Sequence, residues 1–330
     1  MRFPNHPELS HLVATLVRVW PDHETFLAKR FKDCDVSDLD LCETLAGIIM
    51  TLAGEGLEDY CHDYQWTCNL LMEEELYFCR TGSPRYTTFA EADKHVYSND
   101  AVMGRYINGL FLSQLLWDNH ARVLKFFVDT FLTSSPAGGR LLEIGPGHGL
   151  SLYFAAGRPN LGPIEAWDIS EASIAATRHI LQKMNIEQSV TLRRIDLFQK
   201  TAEDTAFQDV VLSEVLEHLE TPREALLKIR DIMAPGGRLF LNVPCNSPAP
   251  DHIYLFDSPL RLFSILLLRR GLCLKRIAFI QRRATQRKGR AKRRSLCLAP
   301  LLPASPPKQP YFQSGLPFQL RYLVRRFQKH

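Results

Sequence analysis

Two glutamates and a histidine stand close together in LSEVLEHLETP, residues 212–222. If Glu214 to His218 forms a helix, positions i, i+3 and i+4 share one face, so the side chains of Glu214, Glu217 and His218 converge. Two carboxylates and an imidazole suit a divalent ion such as Mn²⁺, Fe²⁺ or Zn²⁺. Such an ion would orient a substrate hydroxyl and lower its pKa. The same groups could instead act as acids and bases, or form the polar start of a surface helix.

His252, in PAPDHIYLF, is a further candidate for the same pocket because it follows a predicted strand at residues 239–243. It would serve as a fourth ligand or as a base. The alternative is a loop histidine that is hydrogen-bonded to the backbone.

A glycine-rich turn indicates a ligand site upstream of these residues. LLEIGPGHG, residues 141–149, reads as an apolar strand that enters a turn with three glycines and then a helix. Glycines at such a turn let the backbone approach a ligand closely. The spacing differs from the G-x-G-x-x-G of dinucleotide sites, and Glu143 would repel a pyrophosphate, so a ligand with an amino group is favoured.

Acidic residues end the next two strands. Asp168, in AWDIS, could accept hydrogen bonds from ribose hydroxyls, and Asp196, in RRIDLF, could accept one from an adenine amino group. Either acid alone could simply cap a strand end. Together with Glu143, they favour a nucleoside ligand.

Alternating strand and helix patterns must position these residues. After the linker SSPAGG, residues 134–139, short apolar runs alternate with helical segments. This alternation predicts an α/β fold with a mostly parallel sheet, helices on both faces and ligands at the carboxyl ends of the strands. TPRE, residues 221–224, matches a helix N-cap with a capping box, so LSEVLEHLE connects a strand end to a helix. Residues 1–135 read as helices only.

The ordered motifs LLEIGPGHG, AWDIS, RRIDLF, DVVLSEVLEHLETP and APGGRLFLNVP resemble those of class I S-adenosylmethionine-dependent methyltransferases, over about residues 140–282. The resemblance implies an enzyme with a Rossmann-like, doubly wound sheet of seven strands, the last one antiparallel. It also implies S-adenosylmethionine as the cofactor, with an N-terminal helical cap that shapes the acceptor pocket. The implied cofactor contacts are Glu143, Gly145, Pro146, Gly147, Gly149, Asp168, Ile169, Asp196, Leu197, Ser213 and Glu214.

The segment EVLEHL is similar to one in ubiquinone-pathway O-methyltransferases and to one in small-RNA 2′-O-methyltransferases. In both groups Glu-x-x-Glu-His is implied to bind a divalent metal, which here would be held by Glu214, Glu217 and His218. Many methyltransferases carry relatives of EVLEHL without a known metal. Glu217, His218 and His252 are therefore also candidate catalytic residues.

Other side chains are candidates for contact with the acceptor. His148 stands where the glycine turn of these enzymes commonly has a small residue, either as a neutral spacer or as a substrate contact. Tyr106, Trp117 and His120 could form an aromatic wall, although buried packing is the commoner fate of such residues.

The charge distribution is uneven. Residues 258–330 contain no Asp or Glu and 18 of the 40 Lys and Arg, which leaves residues 1–257 with a net charge of −14. The basic stretch 281–294 could bind RNA or an anionic carrier through phosphate contacts, or be a solvated tail. The absence of Asp and Glu from residues 258–330 is also typical of an out-of-frame reading of GC-rich DNA. The predicted divisions are a helical cap at 1–135, a methyltransferase core at 136–302 and a basic, disordered tail at 303–330.

The bulk properties favour a cytoplasmic protein. The longest apolar run, residues 260–268, is too short to span a bilayer, and the first residues lack the apolar core of a signal peptide. The favoured function is methyl transfer to an O, N or C atom of a small or carrier-bound metabolite. The alternatives are an RNA 2′-O-methyltransferase with a divalent metal, and a partner protein that binds the cofactor without transferring methyl groups. Nucleic acid is the less favoured acceptor.

Overall fold

A computed structural model of the chain describes residues 1–199, 206–257, 272–281 and 318–326, the last two ranges as strand backbone. Helices occupy most of residues 7–134, here called the N-terminal helical region. They are α1 (Pro7–Val19), α2 (Glu24–Phe31), α3 (Val36–Ala53), α4 (Leu57–Thr81), α5 (Phe89–Ala92), α6 (Asp100–Leu116) and α7 (Asp118–Phe126). Single π-helical turns follow α5 and α7, at Asp93–Tyr97 and Phe127–Phe131. No helix in the described ranges has the length and apolar character needed to cross a bilayer.

Strands and helices then alternate, as the sequence predicts. They are β1 (Leu141–Ile144), α8 (Leu150–Ala156), β2 (Ile164–Asp168), α9 (Glu171–Lys183), β3 (Val190–Arg194), β4 (Phe207–Ser213), α10 (Pro222–Ile232) and β5 (Met233–Cys245). The five strands pair in parallel in the order β3-β2-β1-β4-β5. The predicted α/β fold with a parallel sheet is therefore confirmed.

Two antiparallel strands extend this sheet beyond β5. They are β6 (Leu272–Gln281) and β7 (Phe318–Arg326), and β7 lies between β5 and β6. The apolar stretch SLCLAPL, residues 295–301, which could also be read as a last strand, lies outside the described residues. The strand β7 instead falls within the stretch 303–330, for which a disordered tail is expected.

Side chains of successive strand residues pack on opposite faces of the sheet. Leu141 and Val211 belong to a core shared with the N-terminal helical region, whereas Leu142 and Val210 belong to a core shared with α10. Both faces are covered, which explains why these strands read as continuous apolar runs.

A buried ion pair joins the helical region to the sheet. Arg238 on β5 contacts Asp209 on β4 at 2.7 Å through its Nε atom. Its terminal nitrogens donate to the Phe131 carbonyl at 3.2 Å and to the hydroxyls of Ser134 and Ser135 at 2.7 and 2.8 Å. The linker between the two regions is thus fixed against the sheet.

Candidate functional site

A cavity of about 370 Å³ opens at the carboxyl ends of the parallel strands, against the N-terminal helical region. Its volume falls in the range of roughly 300–1,000 Å³ that is usual for small-molecule sites. The predicted site residues that line it are Glu143, Gly145, Pro146, Gly147, Asp168, Ile169, Asp196, Leu197, Ser213, Glu214, His218 and His252. Gly149 and Glu217 are buried and do not line it. Nearly all of the predicted site residues thus lie around one cavity at this edge of the sheet.

The glycine turn after β1 needs its glycines. Gly145, Gly147 and Gly149 have φ angles of +66°, +49° and +67°, which residues with a side chain rarely adopt. A Cβ atom on Gly145 would also lie 2.8 Å from a methyl group of Val215. The Thr177 hydroxyl donates to the Gly147 carbonyl at 2.8 Å and holds the turn in place.

Glu143 presents a buried carboxyl group at the start of this turn. It is 3% exposed, and its Oε2 atom has no hydrogen-bond partner among the described residues. Burial raises the pKa of Glu143 to about 8, although a hydrogen bond with the Ser151 side chain opposes the shift. The carboxyl group is therefore mostly protonated at neutral pH and would ionise beside a cation.

Asp168 and Asp196 fix the turns that follow their strands. Asp168 accepts a hydrogen bond from the Ser170 N–H at 2.9 Å, and Asp196 accepts one from the Phe198 N–H at 2.9 Å. Burial raises the pKa of Asp168. Both acids have the capping role that the sequence allowed, and both also line the cavity beside the exposed side chains of Ile169 and Phe198.

Sequence reasoning missed Asn242, which organises the end of β4. Its Nδ2 atom donates to Ser213 Oγ at 3.0 Å and to Glu214 Oε1 at 2.8 Å. The backbone carbonyl of Asn242 accepts a hydrogen bond from the Glu214 N–H at 2.9 Å. These bonds hold Glu214 at a φ of +55°, which is strained for a non-glycine residue. A polar residue inside the apolar run FLNVP was the available signal.

The condition considered for convergence, a helix from Glu214 to His218, is not met. Only Leu216–His218 forms a 3₁₀ turn, and Glu214 is left-handed and bonded to Asn242. The structure instead brings together Glu217, His218 and His252, whose ligand atoms lie within 4.8 Å of one another. This cluster contains Glu217 and His218 of the suggested metal ligands together with His252, the suggested fourth ligand, and it does not include Glu214.

Both histidines of this cluster are oriented by backbone carbonyls. His218 Nδ1 lies 2.9 Å from the Asp251 carbonyl, and His252 Nδ1 lies 2.6 Å from the Ser247 carbonyl. Because a carbonyl only accepts, each Nδ1 carries the proton and each Nε2 of the neutral ring has a lone pair. Burial lowers the pKa of His252 to about 4, so this ring stays neutral at physiological pH.

Glu217 completes the cluster with a carboxyl group that is 1% exposed. Neither of its carboxyl oxygens has a hydrogen-bond partner within the part of the chain that the structure describes, and His218 Nε2 is 3.8 Å from Oε1. Burial, and then the charge of Glu214, raises the pKa of Glu217 well above its usual range. A buried carboxyl group facing two imidazole lone pairs is chemically suited to a cation such as Fe²⁺, Mn²⁺ or Zn²⁺.

A family model described as a methyltransferase domain matches residues 116–287. The chain belongs to this methyltransferase family. Membership implies an enzyme that uses S-adenosylmethionine. An uncharacterized protein of Synechococcus sp. is 28% identical over 104 residues, which cover 32% of this chain and 25% of that relative.

Two solved structures are similar to the methyltransferase. The SpnF cyclase is 21% identical, with 49% of this chain and 61% of that chain covered and a TM-score of 0.42. A SAM-dependent methyltransferase from Aquifex aeolicus is 15% identical, with 64% and 92% covered and a TM-score of 0.42. The chain spans less than two thirds of the Synechococcus relative and of the cyclase.

The N-terminal helical region supplies polar contacts to the methyltransferase site that sequence reasoning missed. Tyr106 donates to Asp251 Oδ1 at 3.0 Å, and Tyr97 lies 3.4 Å from Oδ2 and 3.0 Å from His218 Nδ1. Of the suggested aromatic wall, Tyr106 and His120 line the cavity. Trp117 does not line it and donates to the Tyr64 hydroxyl at 2.9 Å.

Proposed function

We propose that the protein transfers the methyl group of S-adenosylmethionine to an O, N or C atom of a small or carrier-bound metabolite. The observation that carries this proposal is the cavity itself, which combines the left-handed glycine turn with carboxyl groups at the ends of three neighbouring strands. Glu143 and the turn would hold the methionine end, Asp168 and Ile169 the ribose, Asp196 and Leu197 the adenine. Ser213 and Glu214 would flank the methyl group.

The acceptor would enter from the side formed by the N-terminal helical region, which acts as a cap. Because the sulfonium is already activated, an in-line approach of the acceptor atom supplies most of the catalysis. A hydroxyl acceptor would also have to lose a proton. His252 suits that role because it is neutral and its Nε2 lone pair is oriented by the bond from Nδ1 to Ser247. His218 is the second candidate base.

The charges around the cavity favour an uncharged or cationic metabolite over RNA. Six carboxyl groups line the cavity, and no Lys or Arg does so among the residues that the structure describes. Phosphate-rich acceptors need cationic contacts. The basic stretch 281–294 lies outside the described residues except for its first position.

Glu217, His218 and His252 support a divalent cation as the alternative to a histidine base, because a bound cation would occupy the Nε2 lone pairs of both histidines. The two imidazoles and the Glu217 carboxyl group, whose oxygens have no hydrogen-bond partner among the described residues, would hold the cation. The cation would lower the pKa of an acceptor hydroxyl. The test is metal analysis after dialysis against Mn²⁺, Fe²⁺ or Zn²⁺, with His252→Ala against the exposed control His179→Ala. Equal metal content in the two variants would remove the metal from the proposal.

The methyl-transfer proposal is tested first by calorimetry with S-adenosylmethionine and S-adenosylhomocysteine, followed by an acceptor screen with labelled cofactor. Asp168→Ala should weaken cofactor binding about tenfold or more by removing hydrogen bonds to ribose. Glu171→Ala, an exposed substitution on the neighbouring helix, should leave it unchanged. Absence of cofactor binding would refute the proposal. Binding without methylation of any acceptor in the screen would instead favour the non-catalytic partner protein.

A further inference from the structure

One wall of the cavity is formed by the short helix α5 and the π-helical turn that follows it. Phe89, Asp93 and Tyr97 recur there at intervals of four residues, and all three side chains line the cavity. The rings of Phe89 and Tyr97 have a centroid distance of 6.0 Å and an angle of 28° between their planes. The Phe89 N–H donates to Glu220 Oε1 at 2.9 Å and fixes this wall against the sheet region. The N-terminal helical region thus presents two aromatic rings and a carboxyl group to the cavity.

Asp251, on the segment after β5, presents a second carboxyl group beside this wall. It is 5% exposed and lines the cavity, and it accepts hydrogen bonds from the hydroxyls of Tyr106 at 3.0 Å and Tyr97 at 3.4 Å. A carboxylate has about four acceptor positions, so about two stay open to a ligand. Among the described residues, neither Asp93 nor Asp251 forms an ion pair with Lys or Arg, and His218 Nδ1 lies 3.7 Å from Asp251 Oδ2. A buried carboxylate without a permanent cation beside it is costly.

The cofactor would not supply this missing cation. In the proposed function its α-ammonium group faces Glu143 and its sulfonium lies beside Glu214, while the two strand-end aspartates bind neutral ribose and adenine groups. The carboxyl groups of Asp93 and Asp251 are then left without a counter-charge. No Lys or Arg of the described chain lines the cavity to provide one. The acceptor is the remaining source of positive charge.

Another buried group beside Asp251 also lacks a partner. Glu217 is 1% exposed, and neither of its carboxyl oxygens has a hydrogen-bond partner in the described ranges. A carboxyl oxygen of Glu217 and ring nitrogens of His218 and His252 lie within 4.8 Å of one another, and both rings line the cavity. Polar atoms that are buried in this way are normally satisfied, so their state here indicates a ligand that donates N–H groups or carries positive charge.

We propose that the methyl acceptor carries a cationic nitrogen, which the carboxylates of Asp93 and Asp251 bind. The rings of Phe89 and Tyr97 would flank this nitrogen, because aromatic faces attract cations through their quadrupole. The inference rests on the proposed function, since it takes the wall formed by the N-terminal helical region to be the acceptor side. It narrows the acceptor to an amine or a quaternary ammonium compound.

The test uses matched probes that differ in charge. Choline is compared with its uncharged isostere 3,3-dimethyl-1-butanol, tyramine with tyrosol, and cadaverine with pentane-1,5-diol. Each is titrated by calorimetry at pH 7 into the full chain loaded with S-adenosylhomocysteine, with EDTA present to exclude metal ions. In at least one pair the cation should bind about tenfold or more tightly than the neutral compound, as expected for hydrogen bonds to charged groups. Asp251→Asn should reduce this preference to about twofold, whereas exposed Asp22→Asn should retain it.

Two variants on the opposite side of the contact make the outcome decisive. Phe89→Leu should weaken the cation about two- to fivefold and leave the neutral compound unaffected. Asp93→Asn should also lower the preference, and it answers the question if Asp251→Asn does not fold. The assignment is wrong if both members of every pair bind equally, if no cation binds to the loaded protein, or if the preference persists in the two Asp→Asn variants. Failure to bind S-adenosylhomocysteine would instead overturn the proposed function.

Discussion

Cofactor binding should release a proton from Glu143. This side chain is 3% exposed, and burial raises its pKa to about 8. At pH 7, one pH unit below that pKa, about nine molecules in ten carry the protonated carboxyl group. The proposed function places the α-ammonium group of the cofactor beside it, and an adjacent cation favours the carboxylate. Binding at pH 7 should therefore release most of one proton per site.

The same equilibrium sets the effect on affinity. Ionising Glu143 at pH 7 costs about 1.4 kcal/mol, so binding at pH 7 should be about tenfold weaker than to the ionised protein. At pH 9 the carboxylate is already formed, whereas part of the free ligand has lost the proton of its α-amino group and must regain it on binding. The proton exchange should thus change from release to uptake between pH 7 and pH 9.

Calorimetry in buffers with different ionisation enthalpies measures this exchange directly. S-adenosylhomocysteine would be titrated at pH 7 in phosphate and in Tris, and the dependence of the binding enthalpy on the buffer gives the number of protons. Glu143→Gln should abolish the release at pH 7, and Glu171→Gln on the exposed start of α9 should retain it. Zero release by the wild type, or the same release by Glu143→Gln, would show that Glu143 does not face the ammonium group.

Three further predictions concern stability. Because the pKa of Glu143 is raised to about 8, the folded protein binds more protons than the unfolded chain between about pH 4.5 and 8, and stability falls as the pH rises through this window. Glu143→Gln should therefore raise the free energy of unfolding of the ligand-free protein by up to about 3 kcal/mol at pH 7 and by about 1 kcal/mol at pH 5, measured by urea titration. Gly145→Ala should destabilise the protein by about 1–3 kcal/mol, because the φ angle of this residue is +66° and the new Cβ atom would meet Val215. The melting temperature should therefore fall, and cofactor binding should weaken. An unchanged melting temperature would contradict this expectation. Asp209→Ala should lower the free energy of unfolding, measured by urea titration, by about 3–5 kcal/mol because it leaves the buried guanidinium of Arg238 without its carboxylate. A decrease of less than about 1 kcal/mol would show that the ion pair is dispensable.

The strands and turns of the sheet region could be predicted from the sequence because the patterns that specify them are local. A strand followed by glycines in left-handed geometry, and an acid at a strand end, are each specified within a few residues. Glu143, Asp168 and Asp196 therefore reach the cavity as predicted. The N-cap position of Thr221 is also correct, although its side chain makes no capping hydrogen bond.

The segment EVLEHL shows where local reasoning fails. Convergence of Glu214, Glu217 and His218 would require a helix, yet Glu214 is left-handed because Asn242 on the adjacent strand binds both its backbone and its carboxyl group. That contact crosses 28 residues. Likewise, the N–H groups of residues 253 and 254 donate to the Glu217 carbonyl and bring His252 to the 3₁₀ turn. Each of these interactions depends on strand pairing that the segment itself does not encode.

His148 illustrates how a sequence anomaly acquires a physical meaning. The sequence shows only that an imidazole replaces a small residue between two glycines. The structure adds that the Leu150 N–H lies 3.3 Å from His148 Nδ1 and that the N–H groups of Gly145 and Gly149 donate to backbone carbonyls. The His148 ring also packs edge-to-face against Phe111 of α6, at a centroid distance of 5.2 Å, and this contact is not encoded by the turn itself.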